Sequence, residues 1–287
     1  MKKLLLCGIV FICTLFASFA GDSAVFVDNG FSLDGKYYIF GQYGKTDKKF
    51  QGWAEIYTVD VIKNDYVSGE VYKTKPSSVT FNKTGKEVFE SLMGENYFSI
   101  KKYNCSPSEP NQILYIREEE KKSGTDVIEF KDFVSSVSED QAYYNVTLVP
   151  TIYGSGTDVK SSFYIMLEKQ DSKGTVLAKE KIGNPDIVRK GVKNYKIERI
   201  VCDKSGHNLV FIIEKTMEDK TGINIRYMIE TAQLKNDFFV NLAEPEVTDS
   251  TDEEEDYSEA ERYSEAVTEN AEDTSTVIDI IDVTDAK

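Results

Sequence analysis

The residues that could do chemistry in this 287-residue chain are few, and most stand apart from the company that chemistry needs. One histidine is present, His207, in the stretch Ser205-Gly206-His207-Asn208. Zinc sites built on histidine and Ser-His hydrolysis both require further groups around such a residue, and none is spaced to supply them. His207 therefore reads as a solvated turn residue. No Gly-x-Ser-x-Gly elbow, phosphate-binding loop or dinucleotide fingerprint occurs. Gly154-Ser155-Gly156 is too short to be one, and no calcium loop with its central glycine is present. No cofactor or metal site is expected. An acid/base pair of carboxylates, as in glycosidases, needs no local motif. Asp34, Glu55 and Asp60 are the nearest candidates for one. The competing reading gives Asp34 a turn to shape and puts Glu55 and Asp60 at strand ends.

Two cysteines could do redox chemistry. Cys7 and Cys13 lie in an apolar leader, which leaves Cys105 and Cys202 for the body. In an oxidising compartment an even pair can form a disulfide, and one spanning so long a loop would stabilise the fold by up to about 4–5 kcal/mol in the chain-entropy model. Two separate buried thiols are the alternative. Sequence leaves both open, because it does not give the distance between the Cα atoms.

The leader sets the compartment. Lys2 and Lys3 precede an apolar run from Leu4 to about Phe16, and Ala17-Ser18-Phe19-Ala20 then supplies small residues at positions 18 and 20. This is the three-zone pattern of a cleaved secretory signal over residues 1–20, with the cut after Ala20. The run is short against the roughly 20 residues that span a bilayer, so no transmembrane anchor is expected after cleavage. Gly21 at the new terminus does not suit a lipid anchor.

Charge divides the remaining chain. The formal net charge is −15, and residues 244–287 hold 17 acidic groups against Arg262 and Lys287, so the rest of the chain sums to zero. The tail 244–287 repeats Tyr-Ser-Glu-Ala at Tyr257 and Tyr263 and has few apolar groups to offset the entropy of ordering, so it is expected to be disordered. It could act as a solubilising brush, a weak cation binder or an arm for a basic partner. At its end, Thr276-Val-Ile-Asp-Ile-Ile-Asp-Val partly alternates apolar and acidic residues, a pattern able to join a sheet edge. Nucleic acid is not an expected partner, because the body lacks a basic run and the tail repels phosphate.

Between leader and tail, residues 21–243 read as one β-rich domain. Tyrosine, phenylalanine and β-branched residues are frequent, and several segments alternate in the strand manner. Lys36–Gly41 follows the turn Asp34-Gly35, and a second strand starts at Glu55. Tyr144–Ile152 and Ser162–Glu168 flank a Gly-Ser-Gly loop as a hairpin, and Asn208–Glu214 with Ile225–Glu230 makes another. One stretch has helical spacing instead. After Asn82 or Thr84, either able to cap, Val88, Phe89, Leu92, Met93, Tyr97 and Ile100 share a face, predicting one amphipathic helix over 84–101 that covers a sheet.

Two regions resemble each other. Phe31-Ser32-Leu33-Asp34-Gly35-Lys36 leads into an apolar strand, a polar loop and Glu55-Ile56-Tyr57-Thr58-Val59-Asp60. Cys202-Asp203-Lys204-Ser205-Gly206 does the same and ends in Arg226-Tyr227. The spacing from Gly35 to Tyr57 and from Gly206 to Tyr227 differs by one residue, which suggests equivalent places in one sheet system. The Ser-x-Asp-Gly-Lys turn followed by these strands resembles a blade of the β-propellers of Tol-type periplasmic proteins. Two copies do not make a propeller, so a β-propeller-like fold and a β-sandwich of antiparallel hairpins both stay open. The block Gly30–Tyr37, Phe40, Tyr43-Gly44, Glu55–Tyr57 and Val59-Asp60, with Phe163–Leu167 and the Gly206 unit, is similar to a bacterial family of predicted secreted proteins, domain of unknown function 2259. That resemblance implies secretion and a shared fold, and no activity. Together these readings give an exported, non-enzymatic binding or assembly module of the cell envelope, with an envelope protein as its expected partner and a carboxylate-dependent hydrolase acting on carbohydrate or peptide as the alternative.

Overall fold

The computed structural model describes residues 22–46, 51–118, 127–132, 142–219 and 222–234. The leader 1–20 and the acidic tail 244–287 lie outside the described residues, as does the strand-like Thr276–Val283 segment.

Antiparallel hairpins build three sheets. The first is a meander of β1 (Val25–Phe31), β2 (Tyr37–Lys45), β3 (Gly52–Asp60) and β4 (Asp65–Thr74). The second orders β10 (Arg189–Lys190), β8 (Lys160–Gln170), β7 (Tyr143–Tyr153) and β6 (Val127–Lys131), with β9 (Val176–Ile182) also on β8. The third orders β13 (Gly222–Gln233), β12 (Asn208–Asp219), β11 (Val192–Cys202) and β5 (Ile113–Ile116). Both predicted hairpins form, Tyr144 pairing with Lys169 and Phe211 with Glu230.

The third sheet is the middle layer. On β12, Leu209, Phe211 and Ile213 join Phe163, Ile165 and Leu167 of the second sheet in one core, while Val210 and Ile212 join Tyr38, Phe40 and Tyr57 of the first in another. The run Leu-Val-Phe-Ile-Ile is apolar at every position because successive side chains point to opposite faces and both faces are covered. Of the two architectures left open, this is the face-to-face layering of a sandwich, and no ring of sheets closes among the described residues.

The helix covers the outer face of the first sheet as expected, where Val88, Phe89 and Leu92 pack on Ile39, Ala54 and Ile56. It is two helices rather than one: α1 (Gly85–Glu95) and α2 (Tyr97–Lys101). Thr84 is the cap, in a reciprocal box with Glu87. The break has a local cause. Asn96 leaves helical geometry (φ −109°, ψ 19°), and its side-chain amide donates to the Leu92 carbonyl at 2.9 Å, closing α1. Beyond the break, Tyr97 and Phe98 are exposed instead of continuing the buried stripe.

The chain ends of this body are tied together. The Asp22 carboxylate accepts from Trp53 Nε1 at 2.8 Å and from Arg226 at 2.7 Å, and the Arg226 guanidinium lies 4.0 Å over the Trp53 ring. Ser23 bridges Ile225 in parallel, which brings the start of the body onto β13.

Candidate functional site

The two similar turns are equivalent in detail. Gly35 N–H donates to the Ser32 carbonyl and Ser32 N–H to the Tyr37 carbonyl; Gly206 N–H donates to Asp203 and Asp203 N–H to Asn208 with the same offsets. Both glycines are left-handed, at φ +69° and +75°, where a side chain is strained. The side chain opening each turn caps its far end: Ser32 Oγ accepts from Tyr37 N–H at 3.0 Å, and Asp203 Oδ1 from Asn208 N–H at 3.1 Å. The turns also touch. A Cβ on Gly35 would lie 2.3 Å from Asp203 Oδ2, so glycine is needed for the approach as well as the φ.

The return strands do not keep the equivalence drawn from the tyrosines. Phe40 faces Tyr57 across its hairpin, but Phe211 faces Glu230, while Tyr227 lies opposite Glu214. Tyr57 thus corresponds in register to Glu230, and Asp60, which faces Tyr37, corresponds to Gln233. The polar connection is shorter in the second unit, so equal spacing along the chain does not give equal register. Phe31, buried against Tyr38 with ring centroids 4.9 Å apart, belongs to the core between the first and third sheets.

At the Asp203 turn a cleft of about 480 Å³ opens between the second and third sheets. One wall comes from β6 and β7, with Phe130 and Tyr144 stacked at 5.4 Å; the other comes from Leu114 of β5, Cys202 of β11 and Leu209 of β12. Leu234 adds to the apolar floor. The rim is charged. Lys204 pairs with Glu109 at 3.3 Å, and the lining Asp132, itself buried, pairs at 2.7 Å with Lys169, which lies over the Tyr144 ring. Burial, with Asp132 beside it, pushes the Tyr144 hydroxyl well above the ordinary phenol range, so it stays protonated and can donate.

This geometry decides what the catalytic candidates can do. Asp203, Ser205 and His207 meet, but in the wrong order for a triad. Ser205 Oγ donates to Asp203 Oδ2 at 2.7 Å and lies 3.2 Å from His207 Nδ1, so the serine stands between carboxylate and imidazole. Asp203 also accepts from His207 N–H and from the Asn208 side chain, which makes it the scaffold of the turn. Asp34 does the same for its own turn, where the Ser32 hydroxyl bonded to it holds its carboxyl below the usual range. Glu55 accepts from Gln42 and Tyr57, and Asp60 from the Lys63 backbone. Five residues apart on one strand, Glu55 and Asp60 point to opposite faces about 17 Å apart along β3, so these two carboxylates form no facing pair. Among the described residues no group of three or more His, Cys, Asp or Glu side chains is arranged to hold a metal.

Of the two readings left open for the cysteines, the structure has the separate thiols: Cys105 and Cys202 are both free. Cys105 packs under the helices on the outer face of the first sheet, whereas Cys202 belongs to the core between the second and third sheets, so the first and third sheets both lie between their surroundings. Burial pushes the Cys105 thiol up to about 12 and the Cys202 thiol up to about 11. Since the thiolate is the nucleophile, both thiols should alkylate with iodoacetamide at pH 8 far more slowly than in urea. Equal rates with and without denaturant would refute this. The linkage has a definite sign. The folded state keeps protons that the unfolded state releases near pH 9, so the thiols' contribution to stability is complete below that pH and is lost as pH rises toward 11–12.

Sequence reasoning singles out Cys202, Gly206 and the Asp203 turn but misses the rest of the cleft. Phe130, Lys131 and Asp132 come from a five-residue edge strand and its end, where the alternation is too short to stand out, and Lys169, which pairs with Asp132 behind the lining, is placed only by the β7–β8 register. Among the described residues no helix is long and apolar enough to cross a membrane. Residues 39–233 match the family model described as "Predicted secreted protein (DUF2259)". No curated protein matches the chain, and no solved structure does.

Proposed function

Because the chain belongs to the family of predicted secreted proteins (DUF2259), we propose that it works in the cell envelope as a non-enzymatic binding or assembly module. Its partner is an envelope protein, and the cleft at the Asp203 turn is where that partner presents an apolar group. The observation that carries this reading is the lining of the cleft. Phe130, Tyr144, Leu209 and Leu234 line the cleft as a packed aromatic and aliphatic floor, while Glu109, Asp132 and Asp203 are each engaged in a pair or a turn. A few fixed polar groups around an apolar recess suit recognition. Carboxylates already committed to cations and backbone amides suit acid/base turnover less well. The same repeat supplies the turn and its glycine, so the element most prominent in the sequence is also a wall of the site.

Partner capture from envelope extracts tests this with a rim variant that leaves the floor intact. Lys131→Glu with Lys204→Glu should abolish an enrichment seen with the parent chain, because both lysines are at the exposed rim. The same partners enriched by both proteins, or none by either, would overturn the proposal. Hydrolysis of a glycan or peptide that is lost in Asp132→Asn would establish the hydrolase instead.

A further inference from the structure

The break between α1 and α2 leaves a recess on the outer face of the first sheet. The buried stripe of Val88, Phe89 and Leu92 stops at Asn96, and Tyr97 turns outward to 48% exposure. Beyond the break Ile100 and Cys105 reach back toward the sheet, both partly buried. A cavity of about 290 Å³ remains between the two helices, β1 and β2, walled by Ile39, Met93, Tyr97, Ile100 and Cys105, with Asn29 supplying an amide. Asn29 is the extra residue of a β-bulge, since Asp28 pairs with Phe40 and Gly30 with its neighbour Ile39. Val27 and Phe31, four residues apart, would share a face in an unbroken strand. The bulge instead leaves Val27 under the helices and puts Phe31 in the inner core, while Asp28 accepts from the Tyr38 hydroxyl at 2.8 Å. Asn29 is thus spared from the ladder and lines the recess. Its Oδ1 is buried and has no hydrogen-bond partner among the described residues, and its Nδ2 has the Met93 sulfur at 3.9 Å. A buried acceptor without a donor is costly, and bulges re-aim side chains at sites of function.

We propose that this recess binds a small aromatic molecule carrying one ring N–H or hydroxyl, of about the size of indole. Each requirement comes from a different part of the wall. The volume stands at the lower end of ligand pockets, which suits one fused ring and not a drug-sized molecule. Ile39 and Ile100 offer methyl groups, and Met93 offers its sulfur to a ring edge. Tyr97 stands at the mouth as an aromatic wall, held by Lys101, whose ammonium donates to the Tyr97 hydroxyl at 2.6 Å and lies 5.0 Å over its ring. Asn29 Oδ1 then takes the one donor that the ligand brings. The recess is separate from the Asp203 cleft, so its ligand is independent of the envelope partner.

In the full chain, isotope-labelled at its methionine methyl groups, a titration with indole should shift the Met93 signal, which Met93→Leu identifies by its loss. Benzofuran has the same shape without the N–H. It should bind about 3- to 10-fold more weakly, the worth of one hydrogen bond to a neutral acceptor. Equal affinity for the two would mean that solvent already meets the Asn29 oxygen, and would overturn the proposal. Shifts confined to other methionines, or no shift at millimolar indole, would do the same. Asn29→Leu should bind indole and benzofuran equally, with its other methionine signals in their parental positions as the sign that it folds. A preference for indole that survives in this variant would put the donor contact elsewhere and overturn the role of Asn29. The comparison of the two ligands on the parent chain holds whether or not the variant folds.

Discussion

Glu230→Leu is expected to destabilise the chain by about 3–5 kcal/mol, because it takes the carboxylate away from a buried guanidinium. Glu230 is 2% exposed on β13 and Arg189 4% exposed on β10, with 3.9 Å between their charged groups. The Glu230 carboxylate also accepts from Asn64 Nδ2 at 2.6 Å, in the turn between β3 and β4. Thr231 beside it donates its N–H to Asn64 Oδ1 and its hydroxyl to the Val61 carbonyl. One short stretch of β13 thus ties the middle sheet to both outer ones. Arg189 cannot shed its charge, and its contact with the face of Phe163 does not replace a carboxylate. Thermal unfolding should fall by about 10 °C for a body of this size. Arg189→Met combined with Glu230→Leu should recover at least half of that loss, since the double variant no longer buries a guanidinium that has lost this carboxylate. A single variant that unfolds within about 1 °C of the parent would show that the junction is not a strong point of the fold.

Phe211→Ala should cost about the same, about 3–5 kcal/mol, by a different mechanism. Phe211 is wholly inaccessible on the central strand of the middle sheet, between β11 and β13 and against the second sheet. Removing its ring leaves a cavity whose walls are strands hydrogen-bonded on both sides, which cannot collapse inward as a loop or helix could. The contrast is Phe98→Ala. Phe98 is 85% exposed on α2, so its loss should stay within about 0.5 kcal/mol. Denaturant unfolding of the two variants at unchanged slope gives the comparison directly. Comparable costs would mean that the middle sheet is not the packed centre.

The elements carried by long periodic patterns are legible in the amino-acid sequence. The Asn208–Glu214 strand announces itself by an apolar run, the Tyr144–Glu168 hairpin by alternation around a glycine loop, and Thr84 by its side chain and the Glu87 that answers it. The paired turns at Gly35 and Gly206 are legible for a stereochemical reason, since a left-handed residue in a tight turn calls for glycine. The single helix expected over 84–101 is one break too long, because helical spacing reports which face is apolar and not whether the backbone bonds run through; Asn96 decides that with its own side chain. The cleft is only half legible. Its turn lies in the repeat, while Asp132 and Lys169 are 37 residues apart and meet through strand pairing.

By itself the sequence determined the β-rich class, the main hairpins and the two turns, and these are properties of local periodicity and backbone stereochemistry. Tertiary structure alone decided that three sheets stack with the C-terminal hairpin in the middle layer, that Cys105 and Cys202 stay in separate cores, and that Tyr57 corresponds to Glu230 instead of Tyr227. Each of those depends on which strands become neighbours and in what register. Such long-range pairings are selected by the packing of whole faces, and no window of neighbouring residues contains that information.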